Sequence, residues 1–243
     1  MKCAAIIPAR FGSTRFPGKP LALINGKPMI QWVYENTASC DLVDLTLVAT
    51  DSEEIRSAVK GFGGEAVMTA SGHETGTDRI AEAVQDIEAE LIINVQGDEP
   101  MLPAAAIKSA VLPLLTDTSI PMGTLKTKII KKEEISDTNI VKVITDINDF
   151  ALYFSRSVIP FDRDRHNEVD FYRHIGLYVY RKDFLYKISK MAPSGLEKSE
   201  KLEQLRVLEN GYQIKVKETE YHPLGVDVPD DILKIEQLMD GLT

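Results

Sequence analysis

Between residues 10 and 19 the chain carries Arg10, Arg15 and Lys19 on a backbone loosened by Gly12, Ser13 and Gly18, directly after the apolar run 4–8. Small residues let backbone N–H groups approach an anion, Arg offers planar two-point hydrogen bonding and Lys a mobile point charge. That combination at a strand end suits a polyphosphate. A basic surface loop is the plain alternative, and the clustering of the cations in an acidic protein favours the phosphate. Two acidic loops supply the complementary chemistry. Gln96-Gly97-Asp98-Glu99-Pro100 follows the apolar run 91–95, and Asp98 there suits a hard divalent cation that bridges phosphates. In the second loop, 225–231, Asp230 and Asp231 fit the first turn of a closing helix, whereas Asp227 precedes the proline and is not explained that way.

The elements that must position these loops follow from the patterning. Apolar runs at 4–8, 45–50, 65–68 and 91–94 alternate with helical patterns at 28–39, 52–62, 76–86 and 104–115. This βαβ series predicts an α/β fold with a mainly parallel sheet flanked by helices. Ligands of such sheets bind beyond the carboxyl ends of the strands, where the polar loops 9–19, 50–51, 73–79 and 96–100 fall. From residue 122 the pattern becomes β-rich, with strands expected at 122–126, 141–145, 151–155 and 175–180. Helices at 182–191 and 197–210, a strand at 214–218 and a helix from Pro229 complete the chain. This half reads as an inserted lobe that returns to the first sheet, and 127–137 as a solvated surface helix or turn.

At 243 residues, 44% hydrophobic and 27% charged, the chain is long enough for one α/β domain with an elaborated lobe. A formal charge of −9 and a pI near 5.1 argue against nucleic acid or an anionic membrane as partner. Cys3 and Cys40 lack metal-ligand spacing and lie in or beside apolar segments, which predicts buried, reduced thiols and no zinc site. Neither a signal peptide nor a transmembrane helix is expected, and the expected location is cytoplasmic.

The segments IPARFGSTRFPGKPL, VATD, HETGTDR, NVQGDEPM, ALYFSRSVIPFDRDR, RHIGLYVYR, LEKSEKLEQLRVLENG and GVDVPDD, in that order, resemble the 3-deoxy-manno-octulosonate (Kdo) cytidylyltransferases, or CMP-Kdo synthetases, over nearly the whole chain. The resemblance implies a Rossmann-like nucleotidyltransferase fold, Mg²⁺ dependence, a homodimer, and the reaction of CTP with Kdo to give CMP-Kdo and pyrophosphate, which activates Kdo for lipopolysaccharide synthesis. Residues 1–121 would be the nucleotide-binding half, 122–224 a sugar-binding and dimerisation lobe, and 225–243 the returning metal loop and helix.

The resemblance further implies that Arg10, Arg15 and Lys19 meet the triphosphate, and that Thr50, Asp51, Thr75, Gly76 and Arg79 lie near the nucleoside. Asp98 and Asp227 would hold magnesium. Gln96, Arg156, Arg163, His174, Tyr178, Glu203 and Gln204 would line the Kdo side, where a carboxylate calls for arginine and hydroxyls for mixed donors and acceptors. Each has a structural alternative: His174 as a core histidine, Tyr178 as strand packing, Glu203 and Gln204 as a helix face, Arg156 and Arg163 as partners of nearby carboxylates such as Asp162 and Asp164. Thr75 stands where the family pattern has serine and keeps the hydroxyl. Val179 replaces a glycine near the sugar side, Val228 replaces a threonine, and Glu99 favours Kdo over its 8-amino analogue. The rival readings are a cytidylyltransferase for such a related sugar acid, a glycosyltransferase, or a nucleotide-binding protein without turnover.

Overall fold

Strands built wholly of apolar residues need cover on both faces, and the first part of the chain meets that need by interleaving them with helices. The computed structural model describes residues 1–12, 16–73, 75–164 and 169–241. In chain order the first elements are β1 (Cys3–Ala9), a 3₁₀ turn (Lys19–Leu21), the short hairpin β2 (Leu23–Ile24) and β3 (Lys27–Pro28), α1 (Met29–Ala38), β4 (Leu45–Thr50), α2 (Glu53–Gly61), β5 (Ala66–Met68), α3 (Gly76–Ala83), β6 (Leu91–Asn94) and α4 (Ala104–Thr116). Then come β7 (Met122–Lys128), α5 (Lys132–Ser136), β8 (Lys142–Thr145), β9 (Ala151–Ser155), β10 (Tyr172–Arg181), α6 (Lys182–Ser189), α7 (Gly195–Glu200), α8 (Gln204–Glu209), β11 (Ile214–Glu218) and α9 (Asp230–Asp240).

The chain divides into two compact units, Met1–Lys108 with Pro223–Thr243, and Ser109–His222. In the first, the strand order is β6-β1-β4-β5, every pairing parallel, with Ile6 opposite both Leu47 and Asn94. Ile6, Ile7, Val48, Ile92 and Ile93 are fully buried. Helix α2 shows why its boundaries fall where they do: the Ser52 hydroxyl accepts from the Ile55 N–H, Glu53 and Glu54 occupy the first turn and Lys60 the last. A separate cluster of Ile24, Met29, Val226 and Ile235, with Trp32 and Phe16 against it, ties α9 to the β2–β3 hairpin.

In the second unit β7 pairs parallel with β11 and antiparallel with β10, and β8 joins β10 to β9. Strand 214–218 therefore closes on β7, and the chain re-enters the first unit only at Pro223. Three expectations need correction. The stretch 127–137 is not solvated throughout, because β7 runs on to Lys128 and both Thr127 and Ile129 are buried. Strand β10 begins at Tyr172 rather than 175, so His174 lies within it. The expected helix 197–210 is two helices, because Lys201 takes the left-handed conformation (φ 55°) and ends α7. The turn that follows brings Arg206 back onto Glu197, with Nη2 and Nε donating to the carboxylate at 2.6 and 2.8 Å. Arg206 is buried and Glu197 half-buried, and Glu197 also completes a capping box with Ser194. Glu197→Ala should therefore strand the Arg206 charge in the interior and lower unfolding stability by about 3 kcal/mol, checked by urea denaturation.

Candidate active site

Both loops flagged for chemistry are placed by backbone constraints. After β6, the Val95 N–H donates to the Ile6 carbonyl and the chain turns at Gly97. A Cβ at Gly97 would lie 3.1 Å from the Pro8 carbonyl oxygen, so a larger residue would push this loop off β1. Gly18 supplies the left-handed turn (φ 71°) into the 3₁₀ segment that starts with Lys19. The second acidic loop hangs on Val226, which is fully buried among Ile24, Met29 and Ile235, and its N–H donates to the Asp98 carbonyl at 3.0 Å.

Lys19 joins these pieces. Its Nζ donates to Asp98 Oδ2 at 2.7 Å and to the Val226 carbonyl at 2.8 Å. Around it lies a cavity of about 320 Å³, with Arg10, Lys19 and Arg79 as cations and Asp98 and Asp227 as carboxylates. Thr75, Gly76 and Gln96 also line it. Arg15 lies outside the described residues.

Arg79 is buried and clamped from behind, its Nη2 donating to Asp51 Oδ2 at 2.8 Å and its Nη1 to Thr69 Oγ1 at 2.6 Å. Asp51 thus reaches the cavity through Arg79, and the buried Thr50 accepts from the Ser52 N–H. Thr75 caps α3, accepting from the Asp78 N–H and donating to its carboxylate, so the helix starts at the cavity wall. His73, not singled out in the sequence, also lines the cavity and is bonded to Glu82. That bond, with the Ala70 N–H, holds the Glu82 carboxyl below the usual range. No periodicity marks a residue like His73; the one signal was its place at the head of the HETGTDR loop.

The remaining candidates belong to the second unit. His174 Nε2 is 2.9 Å from Thr124 Oγ1, and its ring meets Phe154 edge-on at 4.9 Å and Tyr178 at 5.4 Å. Burial lowers its pKa to about 3, so the imidazole is neutral at pH 7 and a poor proton acceptor. Burial likewise pushes the Tyr178 hydroxyl well above its ordinary value. Val179 is fully buried opposite Gly123, and strand alternation turns it to the face away from Tyr178, so its bulk does not crowd that side. Gln204 is buried at the start of α8 beside Glu203, which corrects the exposed-face alternative for Gln204. Arg156 donates from Nε to the Glu200 carbonyl and from Nη1 to the Thr138 carbonyl, and Arg163 is exposed in the loop after β9.

The arrangement in the first unit can seat a polyanion against three cations, with two carboxylates able to share a hard cation with it. Among the described residues no group of three or more His, Cys, Asp and Glu side chains converges. None of the described helices is long and apolar enough to cross a membrane. Cys3 and Cys40 are buried and free, and burial raises the Cys3 thiol to about 11.

A family model described as Cytidylyltransferase matches residues 4–217. The 3-deoxy-manno-octulosonate cytidylyltransferases of Geotalea uraniireducens (strain Rf4) and Geobacter sulfurreducens (strain ATCC 51573 / DSM 12127 / PCA) are 54% and 53% identical to the chain, each over 97% of it and 98% of their own length. A solved structure of CMP:2-keto-3-deoxy-manno-octonic acid synthetase complexed with CTP superposes with a TM-score of 0.96 at 40% identity, covering all of both chains. The 4-diphosphocytidyl-2C-methyl-D-erythritol synthase of Anaerococcus prevotii DSM 20548, 15% identical with a TM-score of 0.65 over 98% of this chain and 96% of its own, shares the fold.

The histidine generates a pH prediction. Its folded pKa of about 3 lies below the ordinary 6.5, so the unfolded chain takes up a proton that the folded chain refuses. This contribution to stability is complete above pH 6.5 and is lost as pH falls from 6.5 towards 3, amounting to about 2 kcal/mol by pH 5. Denaturant unfolding at pH 7 and pH 5 should show that loss, and His174→Gln should remove it.

Proposed function

We infer the activity of this chain from its kinship: it belongs to the cytidylyltransferase family and, within it, to the 3-deoxy-manno-octulosonate cytidylyltransferases. It transfers CMP from CTP to Kdo, giving CMP-Kdo and pyrophosphate. The observation that carries the chemistry is the meeting of Lys19, Asp98 and the Val226–Asp227 loop in one cavity.

The anomeric hydroxyl of Kdo attacks the α-phosphorus of CTP; a new O–P bond forms, the bond from the α-phosphorus to the α,β-bridging oxygen breaks, pyrophosphate leaves in line, and the hydroxyl proton passes to solvent. Arg10, Arg15 and Lys19 bind the phosphates, and the third N–H of the Lys19 ammonium, without a partner among the described residues, is the donor for charge growing on the leaving group. Arg79, fixed by Asp51 and Thr69, presents its remaining edge to the nucleoside. Asp98 and Asp227 fit Mg²⁺, which takes one or two carboxylates and fills its other positions with water and phosphate oxygens, and when bound it supplies charge neutralisation along the triphosphate. His174, neutral and bonded to Thr124, orients a sugar hydroxyl and is assigned no proton transfer. Arg156 holds the Kdo carboxylate, with Tyr178, Glu203, Gln204 and Arg163 around the hydroxyls and Gln96 towards the sugar.

The enzyme works in the cytoplasm, as the buried free thiols and the need for CTP favour, and supplies activated Kdo for lipopolysaccharide synthesis. A homodimer is supported by exposed Ile147, Leu152 and Phe161 in the second unit.

Pyrophosphate release on mixing CTP and Kdo tests the activity; release without Kdo, or preference for 8-amino-Kdo, would overturn it. Lys19→Ala should lower kcat roughly a hundredfold with a smaller effect on the CTP requirement. Asp98→Asn and Asp227→Asn should each abolish release at ordinary Mg²⁺, and full activity in chelator would remove the metal from the scheme. Asp51→Ala should raise the CTP KM about tenfold by freeing Arg79, and Asp51→Asn, which keeps an acceptor oxygen, should raise it less.

A further inference from the structure

The segment that leaves β9 is held more tightly than its exposed position requires. Ser155 Oγ donates to Glu200 Oε1 at 2.6 Å, the Arg156 N–H donates to Glu200 Oε2 at 3.0 Å, and the Ser157 N–H donates back to Ser155 Oγ at 3.0 Å. One carboxylate therefore fixes both sides of the Arg156 peptide. The Arg156 carbonyl is bound from below by Lys142 Nζ at 2.7 Å, and the same ammonium donates to the carbonyls of Asp137 at 2.8 Å and Ile140 at 2.6 Å.

Lys142 is fully buried, so it can touch no substrate. Burial lowers its pKa below the ordinary value, with the neighbouring Arg156 cation acting in the same direction, and Asp137 and Glu200 oppose them. Removing a lysine ammonium from water is costly unless its three N–H groups are all bonded, and three carbonyls meet that condition. No ion pair of the scaffold needs a cation there. What the ammonium does achieve is to join the start of β8 to the exit of β9 at the Arg156 carbonyl.

The side chain of Arg156 is fixed by the same neighbours. Nε donates to the Glu200 carbonyl at 2.8 Å and Nη1 to the Thr138 carbonyl at 2.9 Å. Of the five N–H groups of the guanidinium, this leaves both on Nη2 and one on Nη1 without a partner among the described residues. One N–H on each terminal nitrogen is thereby available for the planar two-point pairing that matches a carboxylate. Because the two bonded carbonyls are neutral, the guanidinium keeps its full charge for an incoming anion.

We propose that Glu200 and Lys142 are positioning residues that fix the backbone of Arg156 and aim the open Nη1–Nη2 edge of its guanidinium at the carboxylate of the sugar-acid substrate. The proposal rests on the reading that Arg156 holds the Kdo carboxylate. It adds that the arginine binds as a preorganised fork, its orientation set before substrate arrives by groups that never touch the sugar. A freely rotating arginine would lose rotamer entropy on binding; a clamped one does not.

The experiment compares Arg156→Ala, Glu200→Ala, Glu200→Gln and Lys142→Met in steady-state pyrophosphate release, varying Kdo and CTP separately. Gln at 200 keeps an acceptor for the Arg156 N–H and can donate to the Ser155 hydroxyl, so it preserves the geometry without the charge. The expected result is a Kdo KM raised at least about tenfold in Arg156→Ala and Glu200→Ala, a CTP KM unchanged within about twofold, and recovery of most of the Kdo affinity in Glu200→Gln. Lys142→Met should show the same split between the two substrates. A Kdo KM raised by Arg156→Ala but unmoved by Glu200→Ala overturns the clamp alone. An unmoved Kdo KM in Arg156→Ala overturns the underlying reading and the clamp with it. Equal loss of CTP and Kdo affinity in Glu200→Ala, or no recovery in Glu200→Gln, assigns Glu200 to general stability and also overturns the proposal.

Discussion

A single ammonium group organises the cavity of the first unit. Lys19 bonds Asp98, separated from it by 79 residues, and the carbonyl of Val226, separated by 207. Without a cation there, the carboxylates of two acidic loops that bear on the same cavity would face each other uncompensated. With it, the Asp98 charge is balanced in the absence of substrate and the Val226–Asp227 peptide is held in register. The apolar side of the same loop reinforces this, since Val226 is packed among Ile24, Met29 and Ile235. The polar and apolar halves of one short segment thus fix Asp227 from opposite directions.

Three polar groups of the second unit are answered within the protein. Arg206 is paired with Glu197, Lys142 is enclosed by carbonyls, and His174 is held neutral beside Thr124. Buried ionic groups of this kind add little net stability over apolar replacements. They fix geometry instead. Rigid polar placement here and cationic convergence in the first unit are two different uses of charge in one chain.

Much of the scaffold was legible because it obeys simple periodicities. The runs that became β4, β6, β9 and β11 have the bounds the patterning predicts, since continuous or alternating apolar residues leave few other solutions. The break between α7 and α8 was not legible, because nothing in the residue type of Lys201 marks the left-handed backbone that ends α7 there. The start of β10 was hidden for a related reason: Tyr172, Arg173 and His174 look polar, and only their partners on β7 and β8 make them strand residues. At the cavity, Arg10, Lys19, Asp98 and Asp227 could be named from type and position. The roles of Asp51 and Thr69 as supports of Arg79 could not, since they depend on a contact between residues 28 and 10 positions apart in sequence.

The distance along the chain between Lys19 and Val226 has a consequence for the order in which the protein becomes an enzyme. A ribosome delivers the basic loop and Asp98 long before it delivers Asp227, and contacts of such long sequence separation form late in folding. A nascent chain can therefore assemble its parallel sheet and still lack one of its two acidic loops. The cavity is completed only by the segment from Pro223 onward, when α9 docks on the β2–β3 hairpin and brings Val226 to Lys19. Until then the partly made protein holds its basic loop and Asp98 without the second acidic loop that lines the same cavity.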